Sequence, residues 1–557
     1  MPKMTGARFI AETLKGYGVT HVFYVPTVVP EAMIEMEKLG IARIVTHGEK
    51  AAAYMADGYA RIAKRPGVCL AQSVGAANLA AGLQDAYLGL SPVIAITGQR
   101  PFMMRYRHTY QELNHKTLYD AVTKFSANVE TVEQLPYLMR QAFREATSGA
   151  PAPVHLDMQG NSWAEIARAE ADLDVIVEKE FTTYPSFRTE PDRTRVEAAA
   201  KALNAAERPI IVAGSGVTLS GAQKEVTELA EMLSIPVATS VGGKGAIPEN
   251  HPLSVGIVGN YSRACANQAV AAAGLVIFIG SRTGSQVTND WKIPPAGTQV
   301  IQLDIDPAEL GRNYPNQVSV LGDAKVSVRR LIETLSLSKV NKATEFASYT
   351  QGLVAKWRRD NAPMYNSDAS PIRPERMMKE LTEYLPPDAI LVSDTGHSSI
   401  WTSTMVDFKY PTQTYIRAAG SLGWAFSAAM GARCAAPNRP VICFTGDGGA
   451  WYHIGELETA MRYGINTVTI VNNNSALSQL KRGVDNFYKG KAGNPTSIYG
   501  FTTVDFAKVA EAIGCFGVTV TKPGELKGAI DAAFASKKPA VINVVGDANA
   551  AAPRAWG

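Results

Sequence analysis

Cysteine is scarce in this 557-residue chain: Cys69, Cys265, Cys434, Cys443 and Cys515 stand singly, with no Cys-x-x-Cys pair among them. An odd, scattered set excludes a disulfide framework and a thiolate zinc site, and predicts a reducing compartment. Charge of one sign is lacking too. The formal net charge is +4, too small an excess for a dedicated nucleic-acid binder. Low-complexity tracts are absent, and 46% hydrophobic against 19% charged residues excludes a disordered chain. Long apolar runs are missing as well: stretches such as 271–279 reach about half the ~20 residues of a membrane-spanning helix. The opening MPKMTGARFIAETLKGYGV reads as an amphipathic helix rather than a signal peptide. These absences predict a soluble, cytoplasmic protein of three or four domains.

What the sequence does have is a near-continuous alternation of short β-rich runs bounded by glycine with helical patterns, the signature of βαβ units. The fold class is therefore α/β with open parallel sheets. Three blocks are expected. Residues 1–170 carry strands at 21–25, 67–72, 92–97 and 153–157; residues 195–337 carry strands at 209–213, 275–279 and 299–303. Residues 371–545 carry strands at 389–393, 440–445, 467–471 and 540–544. Between 170 and 194 the periodicity fails and a linker is expected. A polar helical stretch follows the second block near 339–361, and residues 546–557 predict a mobile tail. The similar size and strand count of the first and third blocks suggest a duplicated architecture.

The most informative segment is 441–477, VICFTGDGGAWYHIGELETAMRYGINTVTIVNNNSAL. A buried strand runs into Thr445-Gly446-Asp447-Gly448-Gly449, a helix follows, and a second strand ends in Asn472-Asn473-Asn474. Both tips then lie on one sheet edge, where open parallel sheets bind ligands. Asp447, the Asn474 amide and a main-chain carbonyl two residues on, at Ala476, make a hard oxygen set suited to magnesium. The glycines let the backbone approach a diphosphate, and a helix starting after Gly449 offers free N–H groups to its charge. Alone, Gly-Asp-Gly is an ordinary glycine turn.

The 27-residue separation of Asp447 and Asn474 resembles the thiamine diphosphate motif of the acetolactate synthase and 2-oxo acid decarboxylase superfamily. That resemblance spans nearly the whole chain and implies a pyrimidine-binding domain, a Rossmann-like middle domain and a diphosphate-binding domain, in that order. It also implies a glutamate at a helix start in the first block. The stretch HGEKAAAYMADGYARIAKRPG places it at Glu49, which alone would be a common first-turn glutamate. In the family this carboxyl hydrogen-bonds N1′ of the cofactor pyrimidine and drives the 4′-amine towards the imine that deprotonates thiazolium C2. Gly75 and Asn78 match the family's glycine-rich turn and following helix. Leu422, in Gly420-Ser421-Leu422-Gly423, matches the aliphatic wedge beneath the cofactor, and the Gly420 carbonyl would accept from the 4′-amine; by itself Leu422 is plain core. His397, after Asp394-Thr395-Gly396, either donates to the diphosphate or is a satisfied histidine. Gly214-Ser215-Gly216 is a lone G-x-G; only some relatives bind a flavin or adenosine nucleotide in the middle domain, and neither FAD nor ADP is expected here. The resemblance implies an obligate homodimer, with tetramers common, because Glu49 of one subunit must face Asp447 of its partner.

The reaction is read from residues around C2. Positions where simple decarboxylases carry polar groups hold Val28 and Ala71, which relay no proton. Gln111 in Tyr110-Gln111-Glu112 matches the Phe-Gln-Glu of the acetolactate synthase branch, whereas Gln479-Leu480-Lys481-Arg482-Gly483 departs from its Met-Val-Arg-Gln-Trp. His115, four residues after Gln111, is a candidate proton donor at the active-site mouth. The expectation is a thiamine diphosphate- and Mg2+-dependent lyase or carboligase acting on a small 2-oxo acid. The alternatives are a 2-hydroxyacyl-CoA lyase or oxalyl-CoA decarboxylase, with Lys481, Arg482, Lys489 and Lys491 as a CoA surface or merely a solvated face, and a catalytically silent paralogue.

Overall fold

The computed structural model describes residues 2–26, 30–160, 163–337, 339–553 and 555–556. Three six-stranded sheets, each parallel throughout, carry the chain. In the first sheet the order is Ala42–Val45, His21–Tyr24, Gly67–Gln72, Val93–Gly98, Val154–Met158, Phe125–Val129. In the third it is Thr414–Arg417, Ile390–Ser393, Val441–Gly446, Val468–Asn473, Ala540–Val545, Phe516–Val520. Numbered within each domain both read 2-1-3-4-6-5, so the first and third blocks share one architecture. The middle sheet runs 3-2-1-4-5-6, the Rossmann order. In it, Gly214 and Gly216 press against the backbone of Gly280 and Ser281, which gives this G-x-G a packing reason of its own.

The two terminal domains meet through equivalent helices, each following the second strand of its sheet: Glu49–Ala63 and Trp424–Ala435. Their crossing is lined by alanines, and a Cβ on Gly58 would run into the Ala428 carbonyl while one on Gly431 would run into that of Met55. Only glycine allows so close a backbone approach. Asp57 on the first helix accepts from Trp424 Nε1 at 2.8 Å and from Arg61 at 2.7 Å, satisfying a fully buried carboxylate. The middle domain is clamped to the third by buried ions. Lys244 pairs with Glu249 and donates to the Ser403 and Val406 carbonyls, and Arg263 reaches the Thr404 carbonyl at 2.7 Å. Both cations thereby satisfy carbonyls at the C-terminal end of helix His397–Met405.

Two expectations change. The stretch expected as a linker holds strand Glu170–Asp172, which pairs antiparallel with Lys3–Thr5, and buries Phe181 and Tyr184. The C-terminal tail lies against the middle domain rather than free: Asn267 donates to the Ala555 carbonyl at 2.8 Å and Trp556 Nε1 to Asn289 at 2.9 Å. Among the described residues no helix is long and apolar enough to cross a membrane.

Candidate active site

Strands Val441–Gly446 and Val468–Asn473 are neighbours, with Gly446 opposite Asn472, so their C-terminal tips share an edge. Asp447 begins a helix there, Asp447–His453, rather than preceding one that starts after Gly449. Its side chain is buried; Oδ1 accepts from Gly448 N–H at 2.7 Å and Oδ2 from Ala476 N–H at 3.0 Å. Burial lifts its carboxyl above the ordinary range, against the pull of these N–H groups. Beside it, Asn474 Oδ1 is buried with no hydrogen-bond partner. An unmatched amide oxygen costs about 1–3 kcal/mol, so a ligand that accepts its lone pairs is favoured there. The Ala476 carbonyl accepts from Ser478 N–H at 2.8 Å and keeps a second lone pair. Among the described residues no group of three or more His, Cys, Asp or Glu side chains could hold a metal. The carboxylate, amide and carbonyl oxygens here fit a hard cation that keeps water or phosphate in its shell.

The glycines divide their work. Around Gly446 the nearest atoms to an added Cβ are Ser398 Oγ at 3.8 Å and the Asn472 carbonyl at 4.0 Å, which leaves room for a ligand. Gly448 instead packs under Leu477, and Gly449 under Asp394 and Thr445, so these two are small for the protein's sake.

Asp394, fully buried at the tip of the adjacent strand, accepts from Thr395 N–H at 2.8 Å, Gly423 N–H at 3.0 Å and the Thr445 hydroxyl at 2.8 Å. Burial pushes its carboxyl up to about 7. It ties the turn bearing Leu422 to the strand that leads into Asp447. Gly420 and Ser421 are held from the other side, donating N–H to Asp85 at 3.2 and 2.9 Å. His397 heads its helix with Nδ1 3.0 Å from Ser478 Oγ, and burial lowers it to about 4, which keeps the ring neutral. Thus Gly420, Leu422, His397, Gly446, Asp447, Asn474 and Ala476 form one cluster around the sheet edge.

A second cluster lies in the first domain. Glu49 opens helix Glu49–Ala63 behind Gly48; Asn78 Nδ2 donates to its Oε2 at 3.2 Å, and Gly75 lies so near Oε1 that a Cβ there would collide. The preceding backbone is anchored by the third domain, with His47 N–H on Glu456 at 3.0 Å and Val45 N–H on the Tyr463 hydroxyl at 3.1 Å. Gln111 lines a groove of about 1010 Å³ with Gln99, Arg105 and Glu112. Ala71 is buried, and Val28 lies outside the described residues. His115 is not at a mouth: it is 1% exposed, with one ring nitrogen on Asp157 and the other on the Ser73 carbonyl. Both nitrogens being engaged inside the fold, it has no free position from which to pass a proton. Lys481 and Lys491 are occupied by Asp485 at 2.7 Å and by the Phe487 ring at 3.8 Å.

Residues 4–118, 196–331 and 394–544 match, in that order, the thiamine pyrophosphate enzyme N-terminal TPP binding domain, central domain and C-terminal TPP binding domain. The chain is 33% identical to a probable acetolactate synthase large subunit of Methanocaldococcus jannaschii, over 99% of this chain and 93% of that protein. This chain belongs to the thiamine pyrophosphate enzyme family. An acetolactate synthase large subunit of Corynebacterium glutamicum is 31% identical over 98% of the chain and 87% of its own length. An acetolactate synthase of Mycobacterium bovis is 30% identical over 99% and 89%. The two clusters of this thiamine pyrophosphate enzyme thus fall in its two TPP binding domains. Within one chain, no hydrogen bond or ion pair among the described residues joins Glu49 to Asp447.

Two residues escaped the motif reading. Asp394 stands in the turn before His397 and carries no motif of its own. Asp85 carried a signal of its own, as the only charged residue in 70–99, and a lone carboxylate in an apolar helix needs partners. Arg61 lies 3.6 Å from its carboxylate, but the backbone donors it holds, Ala419, Gly420 and Ser421, come from the third domain, 334 positions or more away, beyond the reach of any local pattern.

Proposed function

We propose that this enzyme is a thiamine diphosphate- and Mg2+-dependent carbon–carbon lyase or carboligase that decarboxylates a small 2-oxo acid, in the manner of an acetolactate synthase. The observation that carries the reading is the partnerless, buried Asn474 Oδ1 beside the Asp447 carboxylate. Asp447, Asn474 and the Ala476 carbonyl would hold the metal. Gly446 leaves space for the diphosphate, bounded by neutral His397, with Gly448 and Gly449 shaping the turn behind it. When bound, thiamine diphosphate supplies an acidic carbon and a sink for the electrons released on decarboxylation. Glu49 would hold and return a proton at the pyrimidine ring, its carboxyl fixed by Asn78 and Gly75. Leu422, on a turn held by Asp394 and Asp85, would prop the cofactor from below, with the Gly420 carbonyl facing its amine. Gln111 would meet substrate from the groove.

On the family resemblance, which sets Glu49 of one subunit opposite Asp447 of its partner, the complete site is assigned to a homodimer, or a tetramer of such pairs. The exposed Phe102, Met103, Tyr106 and Tyr110 give the first domain an apolar surface for that contact.

The test is to supply holoenzyme with pyruvate, benzoylformate, oxalyl-CoA and a 2-hydroxyacyl-CoA, and to measure carbon dioxide and products. Carbon dioxide and a carboligated product from pyruvate are expected; cleavage of a CoA thioester alone would overturn the 2-oxo acid reading. Asp447→Ala should lose metal-dependent cofactor retention on gel filtration, and unchanged retention in the presence of chelator would remove the metal assignment.

A further inference from the structure

His115 is buried where the proposed chemistry has no use for it, yet it is bonded at both ends. Nε2 lies 2.9 Å from the Ser73 carbonyl oxygen and Nδ1 3.0 Å from Asp157 Oδ1. A carbonyl oxygen only accepts, so Nε2 carries a proton and donates. Asp157 braces the ring from behind and is itself fixed by the Thr97 hydroxyl at 2.7 Å.

Ser73 is the first residue of helix Ser73–Leu88 and has a φ of +46°. A side-chain-bearing residue keeps this left-handed conformation only where its surroundings impose it. His115 supplies one such restraint. A second comes from Tyr119, one helical turn further along His115–Tyr119 and so on the same face. Its hydroxyl donates to the Ala76 carbonyl at 2.9 Å, and its ring stacks on His155 at 3.5 Å. Two carbonyls of one turn, at Ser73 and Ala76, are therefore gripped from a separate helix. The gripped turn carries Gly75 against Glu49, and Asn78 on the next turn donates to the same carboxyl.

We propose that His115, braced by Asp157, is a positioning residue that locks the left-handed Ser73 turn so that Gly75 and Asn78 hold the Glu49 carboxyl in a single place. The inference rests on the reading of Glu49 as the proton-handling group. It also reassigns His115: it acts through the backbone of Ser73 and touches neither substrate nor cofactor.

The variants that separate this from a general structural role are His115→Gln and His115→Asn. The Gln amide can reach the Nε2 position and donate to Ser73, whereas the Asn amide reaches only the Nδ1 position near Asp157. Hydrogen–deuterium exchange of the apo-protein is compared at 73–79 and at 135–147, the latter in the same domain. In His115→Asn, exchange at 73–79 should quicken about tenfold with 135–147 unchanged, the mark of local opening. In the loaded enzyme kcat should fall at least about tenfold while the KM for thiamine diphosphate moves less than about threefold, the split expected of lost orientation. His115→Gln should recover much of both. Equal loss in the two variants, uniform quickening across both segments, or kcat within about twofold of wild type in folded His115→Asn would overturn the proposal. Should His115→Asn not fold, Tyr119→Phe removes only the hydroxyl on Ala76 and must show the same split, or the proposal fails. A wild type that binds no thiamine diphosphate refutes the reading of Glu49, while the exchange comparison still decides the latch.

Discussion

Replacing Gly75 by alanine tests the packing of the Glu49 carboxyl. The added methyl would stand 3.1 Å from Glu49 Cδ and 3.3 Å from Cγ, with Oε1 closer still. Nonbonded carbons meet at about 3.5–4.0 Å, so relief moves the carboxyl by roughly half an ångström to one ångström. Because the obstacle is the free end of a side chain and not backbone, the fold accommodates the change. Its cost to stability should stay below ~1.5 kcal/mol, at the mild end of overpacking. The chemistry is less forgiving: a displacement of about 1 Å can cost ~10²-fold in rate. The assay is kcat with saturating thiamine diphosphate and magnesium beside a urea unfolding curve. Gly75→Ala should unfold near the wild-type midpoint and lose about 10² in kcat, approaching Glu49→Gln. Full turnover in a folded Gly75→Ala would refute the argument that this glycine shapes the place of the carboxyl.

Three further outcomes follow from the packing and the buried charges. Lys244→Met strands the Glu249 carboxylate, whose side chain is 3% exposed, and should cost about 3–5 kcal/mol, with part recovered in Lys244→Met/Glu249→Gln; equal stability of single and double variants in urea would contradict it. Gly431→Leu forces a side chain onto the Met55 carbonyl at the helix crossing and should lower stability by at least ~2 kcal/mol, read as a fall in the unfolding midpoint. Burial raises Asp394 to about 7, above its unfolded value of about 3.9. The folded chain therefore binds that proton more tightly, and this group's contribution to stability is greatest in acid and declines as pH climbs from about 4 to about 7. The stability difference between wild type and Asp394→Asn should shift across that window, and parallel curves would rule the effect out.

The strands read from the sequence at 67–72, 209–213 and 440–445 are interior strands of their sheets. Covered on both faces, they appear as unbroken apolar runs. Those not foreseen, such as Phe125–Val129, Thr414–Arg417 and Phe516–Val520, are mostly sheet edges, half-buried and mixed in composition. With one neighbour each, their place is set by a partner strand rather than by their own pattern. The candidate site divides in the same way. Asp447 and Asn474 were legible because one strand–helix–strand unit fixes their spacing, and Glu49 because its flanking residues match a family stretch. Asp85 and Asp394 were not, since each acts on backbone brought to it from elsewhere in the chain.

The sequence alone determined the alternation of strands and helices, the three-block plan and the meeting of Asp447, Asn474 and Ala476 at one sheet edge, because each depends on neighbours within a few tens of residues. Only the tertiary structure decided that His115 is sealed inside the first domain, that Gly449 makes room for Asp394, and that the terminal domains cross at Gly58 and Gly431. Those outcomes depend on the distance between atoms far apart along the chain, and that distance is fixed only when whole domains pack.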